Sequence, residues 1–157
     1  SVLAGNFKRV VATEVSKPSV KLANKAFAAN NIENIKIGAL SSEDFTAAFK
    51  EKRNLRVLAD AGIRITDYDI DTVLVDPPRA GLDCNTCQLL CQFRAIVYIS
   101  CNPETLARDI KIMNATHEVK RMAAFDQFPY TPHLEGGVYL VKRPGLSPDE
   151  SNKKQKL

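Results

Sequence analysis

Strand-like and helix-like segments alternate along most of this chain, and the clearest junction between them is AIVYISCNPETLARDI, Ala95 to Ile110. Ala95 to Ile99 is a run of β-branched and aromatic residues, the composition of a strand. Pro103 to Ile110 is rich in helix formers and carries a proline in its first turn, so Asn102 reads as the N-cap and Pro103 as N1. The same alternation runs through the rest of the sequence. Strands are expected at Arg9 to Thr13, Ile35 to Gly38 and Asp71 to Asp76, and helices at Lys17 to Asn30, from a Ser42 cap to about Arg53, at Asp83 to Gln92 and at Pro103 to Asn114. The first of these helices carries Val20, Ala23, Phe27 and Ala28 at helical spacing. The nearly continuous apolar run at Asp71 to Asp76 suits a strand buried on both faces. Asn54 to Asp69 reads as an irregular, charged surface insertion. Two closing strands, near Glu118 to Ala124 and Val138 to Lys142, have no helix between them and read as a hairpin-like antiparallel edge. Such alternation predicts an α/β fold with a mostly parallel, doubly wound sheet.

Ligands of doubly wound sheets bind at the carboxyl ends of the strands. Here those ends carry Glu14, Asp76 and Cys101. A thiol beside a helix N-terminus is placed where the dipole and free N–H groups favour a thiolate; taken alone, Cys101 reads equally well as a small core residue. An acid such as Glu14, at the end of its strand, suits ribose hydroxyls, or else serves as the N-terminal charge of the next helix. In Asp76-Pro77-Pro78-Arg79 the prolines fix the backbone and aim an acid and a base into the crevice. The chain of 157 residues is 45% hydrophobic, enough for one domain with a core, and its net charge of +4 is compatible with a polyanion partner without requiring one. No apolar run approaches membrane-spanning length. Four cysteines without a secretory pattern read as reduced thiols of a cytoplasmic protein.

Four segments together carry a resemblance: DPPRAG (Asp76 to Gly81), YISCNPETLARD (Tyr98 to Asp109), FDQFPYTPHLEGGV (Phe125 to Val138) and ATEVSKPSVKLANKAFAANNIENI (Ala12 to Ile35). Taken in their order along the chain they resemble the tRNA (uracil-5-)-methyltransferases, and FDQFPYT and ATEVSKPSV look more like the tRNA branch than the ribosomal RNA branch. The resemblance spans Leu3 to Lys142. It implies a Rossmann-like sheet, S-adenosyl-L-methionine as cofactor, tRNA as partner, and formation of 5-methyluridine in the T-loop. It also implies roles: Cys101 as the nucleophile that adds to uracil C6, Glu135 as the base that removes the C5 proton, Asp76 as an acid between cofactor and uracil, and Glu14 as the ribose-binding acid. Gly136 and Gly137 would let backbone approach a ligand closely. Arg79 and His133 are expected at the substrate, His133 because it lies two residues before Glu135. Arg79 and Arg108 read either as phosphate ligands or as ordinary surface charges.

Relative to that family, an RNA-contacting segment, a first strand and its Gly-rich turn are missing. Val2 to Val10 looks like the end of the helix that follows that turn. Residues 1–143 are therefore expected to be the C-terminal part of a catalytic domain, inactive alone, with 144–157 a flexible tail. The edge left without its neighbour predicts a homodimer or a rearranged edge. Cys84, Cys87 and Cys91 have a spacing that hints at a metal site, but it is also i, i+3, i+7 on one helix face, where thiols pack well; neither His117 nor His133 has ligand spacing, and no metal is expected. The alternatives are a ribosomal RNA uracil-5-methyltransferase, an amino-methyltransferase of adenine or cytosine, which would want an aromatic where Arg79 stands, and a non-catalytic RNA-binding module.

Overall fold

A computed structural model of the chain describes residues 4–131 and 133–145. The chain divides after Asp69 into two compact units. In the first, a 3-10 turn at Ala4–Asn6 leads into β1 (Val10–Glu14), followed by α1 (Lys17–Ala29), β2 (Ile35–Ala39), α2 (Ser42–Lys50) and α3 (Arg56–Asp60). The segment read as the end of a helix is thus a single turn; Val2 and Leu3 lie outside the described residues. β1 and β2 pair in parallel, Val10 with Ile35 through Glu14 with Ala39. Pro18 sits in the first turn of α1, and Ser16 caps it by accepting the Ser19 amide. The cap of α2 is Ser41 and not Ser42, its hydroxyl accepting the Asp44 amide at 3.0 Å. Val20, Ala23 and Phe27 are half-buried as their spacing suggests, but Ala28 is exposed and no residue of α1 is fully buried.

The expected surface insertion is instead the core of this unit. Leu58 and Ile63 are wholly inaccessible and Ile65 is nearly so, and they cluster with Leu40 and Ala48 against Val11, Phe45 and Phe49. Gly38 explains the fit. A Cβ added there would stand 2.8 Å from Leu58 Cδ2, so Leu58 packs onto the bare backbone of β2. Gly62, at φ +68°, then reverses the chain between Leu58 and Ile63. With only a five-residue helix and a 3-10 turn at Ile65–Asp67, no period is long enough to read in the sequence.

The second unit holds β3 (Thr72–Val75), α4 (Cys84–Leu90), β4 (Ala95–Ser100), α5 (Pro103–Met113), β5 (His117–Phe125) and β6 (Glu135–Lys142). The strand order is β3-β4-β6-β5; β3 and β4 are parallel, and β6 runs antiparallel to both β4 and β5. The closing hairpin is present, and its second strand lies between β4 and β5. Among the described residues, two of the four strand pairings are parallel and the two of the closing hairpin strand are antiparallel. β3 is not buried on both faces: it has one paired neighbour, and Leu74 is 46% exposed. The core gathers Cys87, Leu89, Leu90 and Phe93 from around α4, Ile96 and Tyr98 from β4, Leu106 and Met113 from α5, and Val138 and Leu140 from β6.

His117 is buried here as well. Its Nε2 lies 3.0 Å from the Phe93 carbonyl, which can only accept, so the ring proton is on Nε2 and the Thr116 hydroxyl, 2.8 Å away, donates to Nδ1. Of the three helix cysteines, Cys87 is buried, Cys91 half-buried and Cys84 exposed, so they do not pack as one apolar face. Burial pushes the Cys87 thiol up to about 12. Among the described residues no group of three or more His, Cys, Asp or Glu is gathered to hold a metal ion, and no helix is long and apolar enough to cross a membrane. Of the tail expected to be flexible, 146–157 lie outside the described residues.

Candidate active site

Cys101 stands between β4 and α5, as the sequence suggested. β4 ends at Ser100, whose buried hydroxyl accepts the Asn102 amide and contacts the Asn102 carbonyl, both at 3.1 Å. Asn102 then caps α5 by accepting the Glu104 amide, and Pro103 occupies the first turn. The half-buried thiol of Cys101 is thereby carried on a backbone fixed on both sides.

Glu135 reaches the same end of the sheet by a route the sequence did not announce. β6 begins at Glu135, three residues before the expected Val138, because Gly136 and Gly137 join the ladder despite their low strand propensity. The β4–β6 pairing runs from Ala95 with Val141 to Ser100 with Gly136. Cys101 and Glu135 are each the next residue beyond that last pair. Gly136 is buried, and a Cβ there would meet Leu106 Cδ2 at 3.0 Å, so the missing side chain makes room for α5. His133 is exposed, its ring edge-on to Phe128 at 6.3 Å, in a loop where Thr131 donates to the Phe128 carbonyl.

Asp76 follows β3 directly and is exposed, as is Arg79. Beyond them the loop is held from α5. Asn102 Nδ2 donates to the Arg79 carbonyl at 3.1 Å, and Thr105 Oγ1 lies 3.2 Å from the same oxygen. Arg108 Nη2 donates to the carbonyls of Ala80 and Leu82 at 3.0 and 2.9 Å, and its Nε donates to Asp109 Oδ1 at 2.8 Å. Asp109, wholly buried, accepts the Leu82 amide at 2.8 Å and the Tyr98 hydroxyl at 2.7 Å on Oδ2. Burial and this bond push the Tyr98 phenol well above its ordinary range. Gly81 has φ +74°, and a Cβ there would lie 2.7 Å from both Arg108 Nη2 and Asp109 Oδ2. Sequence reading missed this group, although 102, 105 and 109 share one helical face. Arg108, read as a phosphate ligand or a surface charge, commits Nε and Nη2 to protein acceptors while its side chain stays half exposed.

Glu14 belongs to the first unit. It ends β1, half-buried, and its Oε1 accepts the Ser16 amide at 2.7 Å, while a carboxylate has capacity for further donors. An open groove of about 580 Å³ in the same unit is lined by Lys17, Val20, Lys21, Asn24, Lys25, Ala28 and Ala39 and includes none of the expected site residues.

The family model for tRNA (uracil-5-)-methyltransferase matches residues 1–143. The chain is 50% identical over 141 residues to the tRNA/tmRNA (uracil-C(5))-methyltransferase of Vibrio atlanticus (strain LGP32) and 53% identical over 141 residues to the protein of that name from Pseudoalteromonas atlantica. Each match covers 90% of this chain and 38% of the relative, so the chain spans less than half of the proteins it resembles. Among solved structures it is similar to the Pyrococcus abyssi tRNA (uracil-54, C5)-methyltransferase, crystallised with S-adenosyl-L-homocysteine, at TM-score 0.64 and 31% identity, covering 88% of this chain and 30% of that one. A Streptococcus thermophilus rRNA methylase, 13% identical with TM-score 0.58 over 89% of this chain and 76% of its own, shares the fold alone. The fold is the Rossmann-like α/β fold of methyltransferases.

Proposed function

The chain belongs to the tRNA (uracil-5-)-methyltransferase family, and on that premise we propose that it carries the nucleophile and the base for methyl transfer to C5 of a T-loop uridine in tRNA. The observation that carries this reading is the β4–β6 register, in which Cys101 and Glu135 fall at matching positions just beyond Ser100 and Gly136. Uracil C5 is a weak nucleophile. Addition of the Cys101 thiolate to C6 moves electron density onto C5. S-adenosylmethionine, when bound, supplies the electrophilic methyl group on its sulfonium. The residues present suit it unit by unit: in the first, Glu14 ends a parallel-paired strand and keeps acceptor capacity for ribose hydroxyls beyond its bond to Ser16, and in the second, Asp76 directly follows one. Glu135 then takes the C5 proton, and the bond from Cys101 to C6 breaks to return the thiolate. The target base leaves the RNA stack to reach these groups, with Arg79 and His133, both exposed, available to the RNA. Because the chain spans 38% of its curated relatives, this activity is assigned to a protein of their full length, and the chain alone is expected to be inactive.

The test separates the two roles. In a chain extended to the relatives' length, Glu135→Gln should accumulate a protein–RNA species that survives denaturing electrophoresis and already carries the new methyl group, because Gln keeps the size but cannot take a proton. Adding Cys101→Ala should abolish the species. Normal turnover by Glu135→Gln, with nothing trapped, would move the base to another residue.

A further inference from the structure

We propose that Arg108 and Asp109 are positioning residues that hold the Asp76–Arg79 loop in fixed relation to Cys101, a role that rests on the functional reading above. The loop after β3 and the turn after β4 each carry a group assigned to the reaction, Asp76 on one and Cys101 on the other. The Cys101 turn is fixed by Ser100 and the α5 cap, whereas Asp76 to Arg79 has no place in a helix or a strand ladder. The β3–β4 pairing ends at Val75 with Tyr98, and beyond it the side-chain ties to the loop come from one helix segment. Asn102 and Arg108 of the α5 segment hold the carbonyls of residues 79, 80 and 82, and Asp109 holds the amide of Leu82.

Asp109 is the centre of the clamp. It is wholly buried, and its two oxygens receive three donors: the loop amide, the hydroxyl of Tyr98 on β4, and Arg108 Nε on α5. Loop, strand and helix therefore meet at one carboxylate, and such a group is costly to leave with a partner missing. Gly81 closes the loop with a positive φ and leaves no space for a side chain between the loop and the clamp. The guanidinium of Arg108 uses its fork on three acceptors at once, which an ammonium cannot reproduce. These contacts leave Arg108 a structural staple and separate it from Arg79, whose side chain is exposed while its carbonyl is held.

Arg108→Lys is the discriminating variant, because it keeps the charge, sits on an exposed residue and removes only the fork. In the extended enzyme the clamp predicts a kcat about 10- to 100-fold lower, with the RNA KM and the salt dependence of RNA binding unchanged. If Arg108 were a phosphate ligand, Lys would largely restore function, and Arg108→Gln would raise KM and flatten the salt dependence by roughly one charge; that pattern, or wild-type kcat in Arg108→Lys, overturns the proposal. A second measurement needs no methylation and uses the chain as it is: amide exchange at Leu82 should accelerate in Arg108→Lys and more so in Asp109→Asn, while the β4 amides stay protected. Unchanged exchange at Leu82 overturns the clamp. A wild-type extended enzyme that methylates no uridine overturns the functional reading, with the Leu82 result still deciding whether the clamp exists.

Discussion

In β4, Ala95, Ile96, Tyr98 and Ser100 are all buried, whereas in the paired strands of the other unit only Gly38 is. β4 has a strand on each side. Among the described residues β1 and β2 pair only with each other, fewer strands than a sheet usually needs to be stable without help. The first unit makes up the difference with Leu58, Ile63 and Ile65, from a segment that looks like surface in the sequence. The groups assigned to bond making, Cys101 and Glu135, thus stand on the well-buried sheet, and Glu14, assigned to hold a diffusible ligand, stands on the thinner one.

Emptying the substitute core should affect the two units most unequally. Leu58→Ala should cost about 2–5 kcal/mol and speed amide exchange in β1 and β2 while β4 keeps its protection. Equal loss in β4 would mean that the two units unfold together and that the contrast has no energetic content. Acid sharpens it from the other side. The only two histidines, His117 and His133, lie in the second unit. Burial holds the His117 pKa below its ordinary 6.5, with Lys142 and Arg143 adding to the effect and the Phe93 carbonyl opposing it. The unfolded chain therefore binds a proton before the folded one does, and stability from this group is complete above about pH 6.5 and lost below it, at up to about 1.4 kcal/mol per pH unit until the folded pKa is reached. Urea unfolding followed residue by residue from roughly pH 7 to pH 5 should weaken β4, β5 and β6 first; a uniform loss would assign the effect to other groups. The smallest effect is expected from Arg94→Gln. Arg94 meets Asp71 at 2.8 Å beside the β3–β4 pair, but both side chains are more than half exposed, so solvent screening should leave the urea midpoint almost unmoved. A larger loss would show that β3 depends on its surface pair.

The sequence makes the alternation of elements and the Cys101 junction legible because each is local: a β-branched run, a cap, a proline at N1. It hides what depends on short or distant partners. Leu55, Leu58, Ile63 and Ile65 are interrupted by Arg56, Asp60 and Arg64, and an apolar set spread over one turn of helix and a 3-10 turn has no period to detect. Glu135-Gly136-Gly137 lacks strand propensity and joins β6 only because β4 and β5 offer ladders on both sides. Arg108 and Asp109 look like a neighbouring surface pair, yet adjacent helix positions point about 100° apart, which sends Asp109 inward to Tyr98 and leaves Arg108 at the rim.

Glu135 is held in the β5–β6 ladder and Cys101 directly follows the last β4–β6 pair, so the loop between the two hairpin strands takes no part in either ladder. The stretch from Asp126 to Leu134 leaves β5 and returns at β6, and its length can change without altering the β4–β6 register. A lineage could therefore lengthen, shorten or exchange that loop, and with it whatever the loop touches, while inheriting the same reactive pair. The fold separates the part of the enzyme that must be copied faithfully from a part open to revision.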